Sequence, residues 1–274
     1  MPRFIGGTVA GYRALPPVGY QGPGDIVSGA HSWCGLRAYS NATTGNNLVR
    51  LRRDSDNAEQ DFVSLTDGSL DVASIITFKG AANLFIVKFY NQGNSGSFFD
   101  QIQLSASSQA ALTLSGIGSL PIAVFDGSND AYQSDFTNGR ITQSQPWTIS
   151  CTSKRRGNFT SRASIGPEPA SWRTYYDLTT NQIATYAGAN VFATCSDNTW
   201  HSINGVFNGS SSDSNVDGVS TTGDASTGAL SNNLITLMEG TFLGDMVEWG
   251  FWLTAFTATQ SSNLSANQHA YWGF

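Results

Sequence analysis

Charge is scarce in this sequence. Of 274 residues only 12% are charged, with 14 Lys and Arg against 20 Asp and Glu and a formal net charge of −6. Globular chains usually carry about a quarter. Lysine occurs three times, at Lys79, Lys88 and Lys154. With no basic excess to neutralise phosphates, a nucleic-acid partner is excluded. Long apolar runs are missing too. No stretch approaches the ~20 residues of a spanning helix, so membrane insertion is not expected. The opening MPRFIGGTVAGYRALPP lacks the apolar core of a Sec signal peptide. Cys34, Cys151 and Cys195 are odd in number and widely spaced. Without a Cys-x-x-Cys pair they exclude a zinc ribbon or a redox motif. They read as small buried residues, with one disulfide plus a spare thiol as the alternative. His31, His201 and His269 lie far apart, and neither G-x-S-x-G nor a phosphate loop occurs. No internal repeat of ~20–50 residues is visible.

What is abundant is small and polar. Serine (34), threonine (25), asparagine (20) and glycine (29) dominate, while hydrophobic residues make up 40% and aromatics 12%. That is too apolar for a disordered chain and enough for one large core. Runs of β-branched and aromatic residues alternate with turn residues at even spacing, which predicts an all-β sandwich. Strands are expected at 48–53, 60–65, 84–90, 121–125, 147–153, 173–178, 182–186, 191–195, 200–207, 234–238 and 246–252. In the third, Phe85, Val87 and Phe89 would share one face. Arg50 or Arg52 would pair with Asp54, Asp56, Glu59 or Asp61 across the first hairpin. Short helices are expected within 25–40, where Trp33, Leu36 and Arg37 fall at helical spacing, within 69–78, and over 257–270. Residues 1–24 are rich in Gly and Pro and read as an extended arm, leaving 25–274 as one sandwich domain. Phe4, Ile5, Tyr12, Leu15 and Tyr20 punctuate the arm. Their apolar character suggests that it orders against a partner, with folding back onto its own sandwich as the bland alternative.

Two stretches carry a resemblance. Residues 48–92 hold LVRLRRDSDNAEQDF, a DG-LD-AS stretch and IVKFYNQGNSG. Residues 200–218 read WHSINGVFNGSSSDSNVDG. Together with the ending QSSNLSANQHAYWGF, they resemble concanavalin-like, laminin-G-like jelly rolls of phage virion proteins. The first stretch is also similar to the catalytic sandwich of the α-L-arabinofuranosidases. The resemblance implies two antiparallel sheets in a concanavalin-like jelly roll, with the N-terminal arm and a few short helices added. It carries over no catalytic residue. Asn91 stands where the motif has Asp, and the vicinal Cys-Cys pair that precedes the arabinofuranosidase nucleophile is missing.

From residues and resemblance together, the expected function is a non-enzymatic phage virion surface protein, a capsid decoration or fibre component. A low-charge, Ser/Thr/Asn-rich chain without a leader fits export in a particle. The arm would dock on other virion proteins, the chain would form homo-oligomers, and the sandwich would touch host glycans. The alternatives are a glycoside hydrolase acting on host surface polysaccharide and a secreted glycan-binding module. Sugar contacts are expected from Trp172, Tyr175 and Tyr176, because aromatic faces stack on sugar C–H groups, and from Glu248 on the polar face of its strand. No cofactor is expected. Asp126, Asp130 and Asp135 in the oxygen-rich stretch FDGSND and just beyond it offer a calcium site, against an ordinary turn.

Overall fold

The structure is a computed structural model, which describes residues 19–157, 163–168, 173–176, 181–239 and 242–274; at 163–165, 167–168, 175–176 and 239 it describes the backbone alone. The strands are β1 (Ser32–Gly35), β2 (Asn47–Arg53), β3 (Glu59–Val63), β4 (Leu84–Phe89), β5 (Gln101–Ile102), β6 (Ala111–Ile117), β7 (Leu120–Asp126), β8 (Tyr132–Gln133) and β9 (Arg140–Ser144). They continue as β10 (Trp147–Arg155), β11 (Ala163–Glu168), β12 (Arg173–Tyr176), β13 (Gln182–Tyr186), β14 (Asn190–Thr194), β15 (His201–Phe207), β16 (Ser212–Val216), β17 (Val219–Gly223), β18 (Ala229–Glu239) and β19 (Leu243–Trp252). Three helices accompany them: α1 (Pro23–Ile26), α2 (Val72–Lys79) and α3 (Ala258–Trp272).

All pairings are antiparallel, as the alternating pattern requires. One layer runs β17–β16–β15–β10–β19, and β19 gives its first half to β7 and its second half to β1. The other runs β14–β13–β12–β11–β18 and joins β8 and β9. Strands β2 to β6 bridge the two, so the sheet curls over its own core. Trp147, Ile149 and Cys151 of β10, Trp249 and Phe251 of β19, and Ile203 and Phe207 of β15 face inward and are buried. The layers approach so closely that a Cβ at Gly205 would lie 1.9 Å from Thr174 Oγ1, which explains a glycine in mid-strand. The three cysteines are buried, and none of them is in a disulfide.

The helix expected within 25–40 is absent. The chain makes only the short α1 and then extends as β1, with Trp33 opposite Gly250 and Cys34 opposite Trp249. Tertiary pairing overrides the helical spacing here, and all four β1 residues are buried. Strand β4 departs from simple alternation as well. A bulge where Arg50 pairs with Lys88 and Leu51 with Ile86 turns Leu84, Ile86 and Phe89 into the core, while Phe85 lies beneath the Arg52 guanidinium, 5.0 Å away. The expected hairpin pair forms between Arg50 and Asp61, cross-strand neighbours with Nε–Oδ1 at 2.6 Å. Of the arm residues, Phe4, Ile5, Tyr12 and Leu15 lie outside the described residues. Tyr20 lies on its own chain: its hydroxyl donates to the Ala38 carbonyl at 2.5 Å and its ring meets Tyr271 edge-on.

Helix α3 seals the outward face of β10, β15 and β19. Thr257 and Gln260 cap its start, and Gly273 ends it in the left-handed region at φ 78°. The residues it buries include Ser261, Ser265 and Gln268, so this interface is unusually polar. Ser265 shares a hydrogen bond with Ser202 at 2.8 Å and accepts from Asn204, and Gln268 bonds Ser202 and Ser150. At its centre is an ion pair with no exposure on either partner. Arg37 donates from Nε to Glu248 Oε2 at 2.6 Å and from Nη2 to Oε1 at 2.9 Å. Thr152 and Asn267 add bonds, and the Tyr271 ring covers the guanidinium at 4.4 Å.

Removing one partner of such a pair strands the other charge without water. We expect Glu248→Ala to lower unfolding free energy by about 3–5 kcal/mol, and the paired change Arg37→Met with Glu248→Leu to cost far less. Urea denaturation reads both. A loss below ~1 kcal/mol for the single variant would contradict a buried, mutually dependent pair.

Candidate functional site

Glu248 cannot meet a sugar. It lies under α3 in the Arg37 pair, and its strand face, read from alternation as polar and open, is covered. Trp172 lies outside the described residues. Tyr175 and Tyr176 are placed on β12 between β11 and β13 by their backbone, and their side chains are not described. Asn91, the departure from the motif Asp, organises a loop. Its Oδ1 accepts from the N–H groups of Trp33 and Gly93, and its Nδ2 donates to Ser95 Oγ and the Gly96 carbonyl. A carboxylate could accept the first two bonds but not donate the last two.

Asp126, Asp130 and Asp135 do not form a metal cage. Among the described residues no group of three His, Cys, Asp or Glu side chains is arranged to hold a metal ion. Their oxygens serve the backbone instead. Asp126 ends β7 and accepts the Ser128 N–H at 2.8 Å, while Gly127 takes the left-handed conformation the turn needs at φ 82°. Asp130 Oδ2 accepts the Asp126 N–H at 2.9 Å. Asp135 Oδ1 accepts the N–H groups of Thr137 and Asn138 at 3.0 and 2.7 Å and closes the next turn.

The turn closed by Asp135 forms part of one wall of a groove. Its lining runs from Ala131 through Phe136, faces Ile102, Gln103 and Leu104, and includes Thr236, around about 530 Å³. The wall is rigid. Tyr132 is buried beneath it, donating to the Ile86 carbonyl at 2.7 Å and accepting the Ala110 N–H at 2.9 Å. Ser134 is fixed by Gly139 and Ile235. Asp130 directly precedes Ala131, where this wall begins, and its own buried side chain is not part of the lining. Burial pushes its carboxyl up to about 6, and the neighbouring Asp126 charge pushes in the same direction. Asp126 itself is exposed. A buried carboxyl that keeps its proton to near-neutral pH beside a solvated one is the arrangement general acid–base chemistry uses.

Other ionic groups are spent on structure. His201 Nδ1 meets Asp217 Oδ2 at 2.6 Å and His269 Nε2 meets Asp217 Oδ1 at 2.9 Å, which ties α3 to the β16–β17 turn. Asp245 is buried against Lys154 and Arg156. Sequence reasoning found the carboxylates but not the groove. The missed signal was Phe136 in the turn SDFTNG, a large apolar residue at a loop tip.

No protein-family model and no curated protein matches the sequence. Solved structures do match the fold. A mutant GH54 α-L-arabinofuranosidase soaked with 4-nitrophenyl α-L-arabinofuranoside superposes with a TM-score of 0.65 at 13% identity, over 90% of this chain and 64% of that one. An arabinofuranosidase complexed with arabinofuranosyl-α-1,2-xylobiose gives 0.61 at 14%, with the same coverage. The chain thus spans under two thirds of their length, and at this identity the likeness concerns the fold. It corrects the expectation of a non-enzymatic phage virion surface protein, because the structures sharing this sandwich are glycoside hydrolases.

The Asp130 shift has a stability consequence. Its folded-state value lies above the ordinary 3.8, so the folded protein holds a proton that the unfolded chain releases. Stability from this group is therefore full below about pH 4 and is lost as pH rises through about 6. Relative to Asp130→Asn, the natural protein should lose on the order of 2–3 kcal/mol across that window. Urea midpoints measured from about pH 4 to 7 check this, and parallel curves for the two proteins would contradict it.

Proposed function

We propose that the chain is a glycoside hydrolase acting on a polysaccharide, with Asp130 as general acid and Asp126 as its carboxylate partner. The observation that carries this reading is the buried Asp130 carboxyl, pushed up to about 6, with exposed Asp126 near it in the turn that leads into the groove wall at Ala131. Glycoside hydrolysis needs one carboxyl that still holds its proton near neutral pH and one carboxylate. In the step proposed, Asp130 gives its proton to the glycosidic oxygen as the C1–O bond breaks. A water forms the new C1–O bond and passes its proton to Asp126. The low charge of the chain suits a neutral, hydroxyl-rich substrate. The fold shared with arabinofuranosidases puts arabinofuranosyl linkages first among those to test.

Assay of the purified protein on 4-nitrophenyl α-L-arabinofuranoside, other nitrophenyl glycosides and arabinose-bearing polysaccharides tests the reading. Hydrolysis is expected, falling above about pH 6 as Asp130 loses its proton. Asp130→Asn and Asp126→Asn should each lower kcat by at least ~100-fold with the fold intact. Absence of turnover across the panel, or full activity in both variants, would refute the assignment.

A further inference from the structure

The groove's apolar rim is presented to water at a cost that folding alone does not explain. Phe136, 66% exposed, and Leu104, 83% exposed, line the groove, and Phe98, 53% exposed, lies outside the lining on the segment that bonds the Asp135 turn. Exposed apolar groups gathered at one groove mark a binding surface more often than scattered ones do.

Phe136 is moreover held in place. The Arg140 guanidinium lies 5.0 Å from its ring centroid. Arg140 is pinned in turn, donating from Nε to the Phe136 carbonyl at 2.9 Å and from Nη1 to the Asn232 carbonyl at 2.8 Å. One ring face is thus backed by a fixed cation and the other is left to solvent. Phe98 is tethered to the same turn, its carbonyl accepting the Asp135 N–H at 2.9 Å. Between the rings the lining is polar. Gln133 is exposed, and both N–H groups that Asp135 accepts go to Oδ1, leaving Oδ2 without a partner among the described residues.

We propose that Phe136, backed by Arg140, is the stacking platform for one sugar ring of a neutral glycan chain, and that Phe98 receives a neighbouring ring. The occupant follows from the chemistry of the surface. A sugar ring has an apolar C–H face for an aromatic platform and hydroxyl edges for Gln133 and the free Asp135 oxygen. A phosphate-bearing or otherwise anionic ligand would meet Asp135, and Arg140, beside Phe136, already serves two carbonyls. The identity of the ligand as a glycan rests on the hydrolase reading, whereas the platform concerns binding and is tested apart from turnover.

The test is affinity gel electrophoresis in arabinoxylan, with dextran and a polymer-free gel as references, on the natural protein, Phe136→Ala, Phe136→Trp, Phe98→Ala and Asp130→Asn. The natural protein, Asp130→Asn and Phe136→Trp should be retarded by arabinoxylan. Phe136→Ala should bind at least about ten-fold more weakly, and Phe98→Ala should be weakened less. Thermal midpoints confirm that these surface variants fold. Retardation of Phe136→Ala equal to the natural protein, or of no variant in either polymer, overturns the platform. So does a dimer that Phe136→Ala dissociates without polymer present, which would assign the patch to a second copy. If Phe136→Ala loses binding while Asp130→Asn still hydrolyses, the catalytic assignment fails and the platform stands.

Discussion

The ion pair between Arg37 and Glu248 is the constraint around which the outer half of the molecule is organised. Two charges without exposure to water hold together only when each satisfies the other and nearby groups satisfy what remains. Glu248 lies on β19, the strand that touches β1, β10 and β7, and Arg37 follows directly on β1. The pair therefore fixes how the N-terminal segment meets the centre of the sheet. It also dictates the roof. Asn267 of α3 accepts from Nη2 and the Tyr271 ring covers the guanidinium, so the docked helix encloses the pair, with Nη1 left without a hydrogen-bond partner among the described residues. Ser202, Ser150 and Asn204 of the sheet are consistent with this role, since they bond Ser265 and Gln268 of α3 in ways an aliphatic layer could not provide.

Closing that face moves the accessible chemistry elsewhere. With the outward side of β10, β15 and β19 sealed, the groove forms where β5, β8 and the turns after them meet β18. The short strand β8 is anchored by a buried tyrosine hydroxyl rather than by length, and the turns on either side are closed by aspartates. Asp126 and Asp135 cap N–H groups of their turns, while burial raises the Asp130 carboxyl to about 6. In a chain with so few charges, each carboxylate's environment is set by one or two neighbours, which keeps Asp126 and Asp130 distinct.

Much of the fold was legible in the sequence. The strand patterns around Trp147, Trp200 and Met246, the hairpin pair Arg50–Asp61 and the helix after Thr257 are local signals that tertiary structure did not override. The failures share a cause. Trp33 and Leu36 have helical spacing, yet pairing with β19 extends them. Glu248 alternates away from the core, yet the face it points to is buried, and a period-two pattern cannot tell a solvated face from one covered by a polar helix. Phe85 was assigned inward because a bulge is invisible to alternation. At the site, Asp126, Asp130 and Asp135 stood out by composition, but whether oxygens converge on an ion or serve N–H groups depends on turn geometry. Phe136 carried no periodic signal at all.

The account's central claim is that the groove whose wall follows Asp130, and no other surface of the sandwich, receives a sugar chain across its scissile bond. A crystal structure of Asp130→Asn soaked with an arabinofuranosyl xylo-oligosaccharide tests it most directly. The account predicts a glycosidic oxygen within hydrogen-bond reach of residue 130 and a sugar ring lying flat on Phe136. An oligosaccharide seated elsewhere on the molecule, with the groove left to solvent, would contradict it.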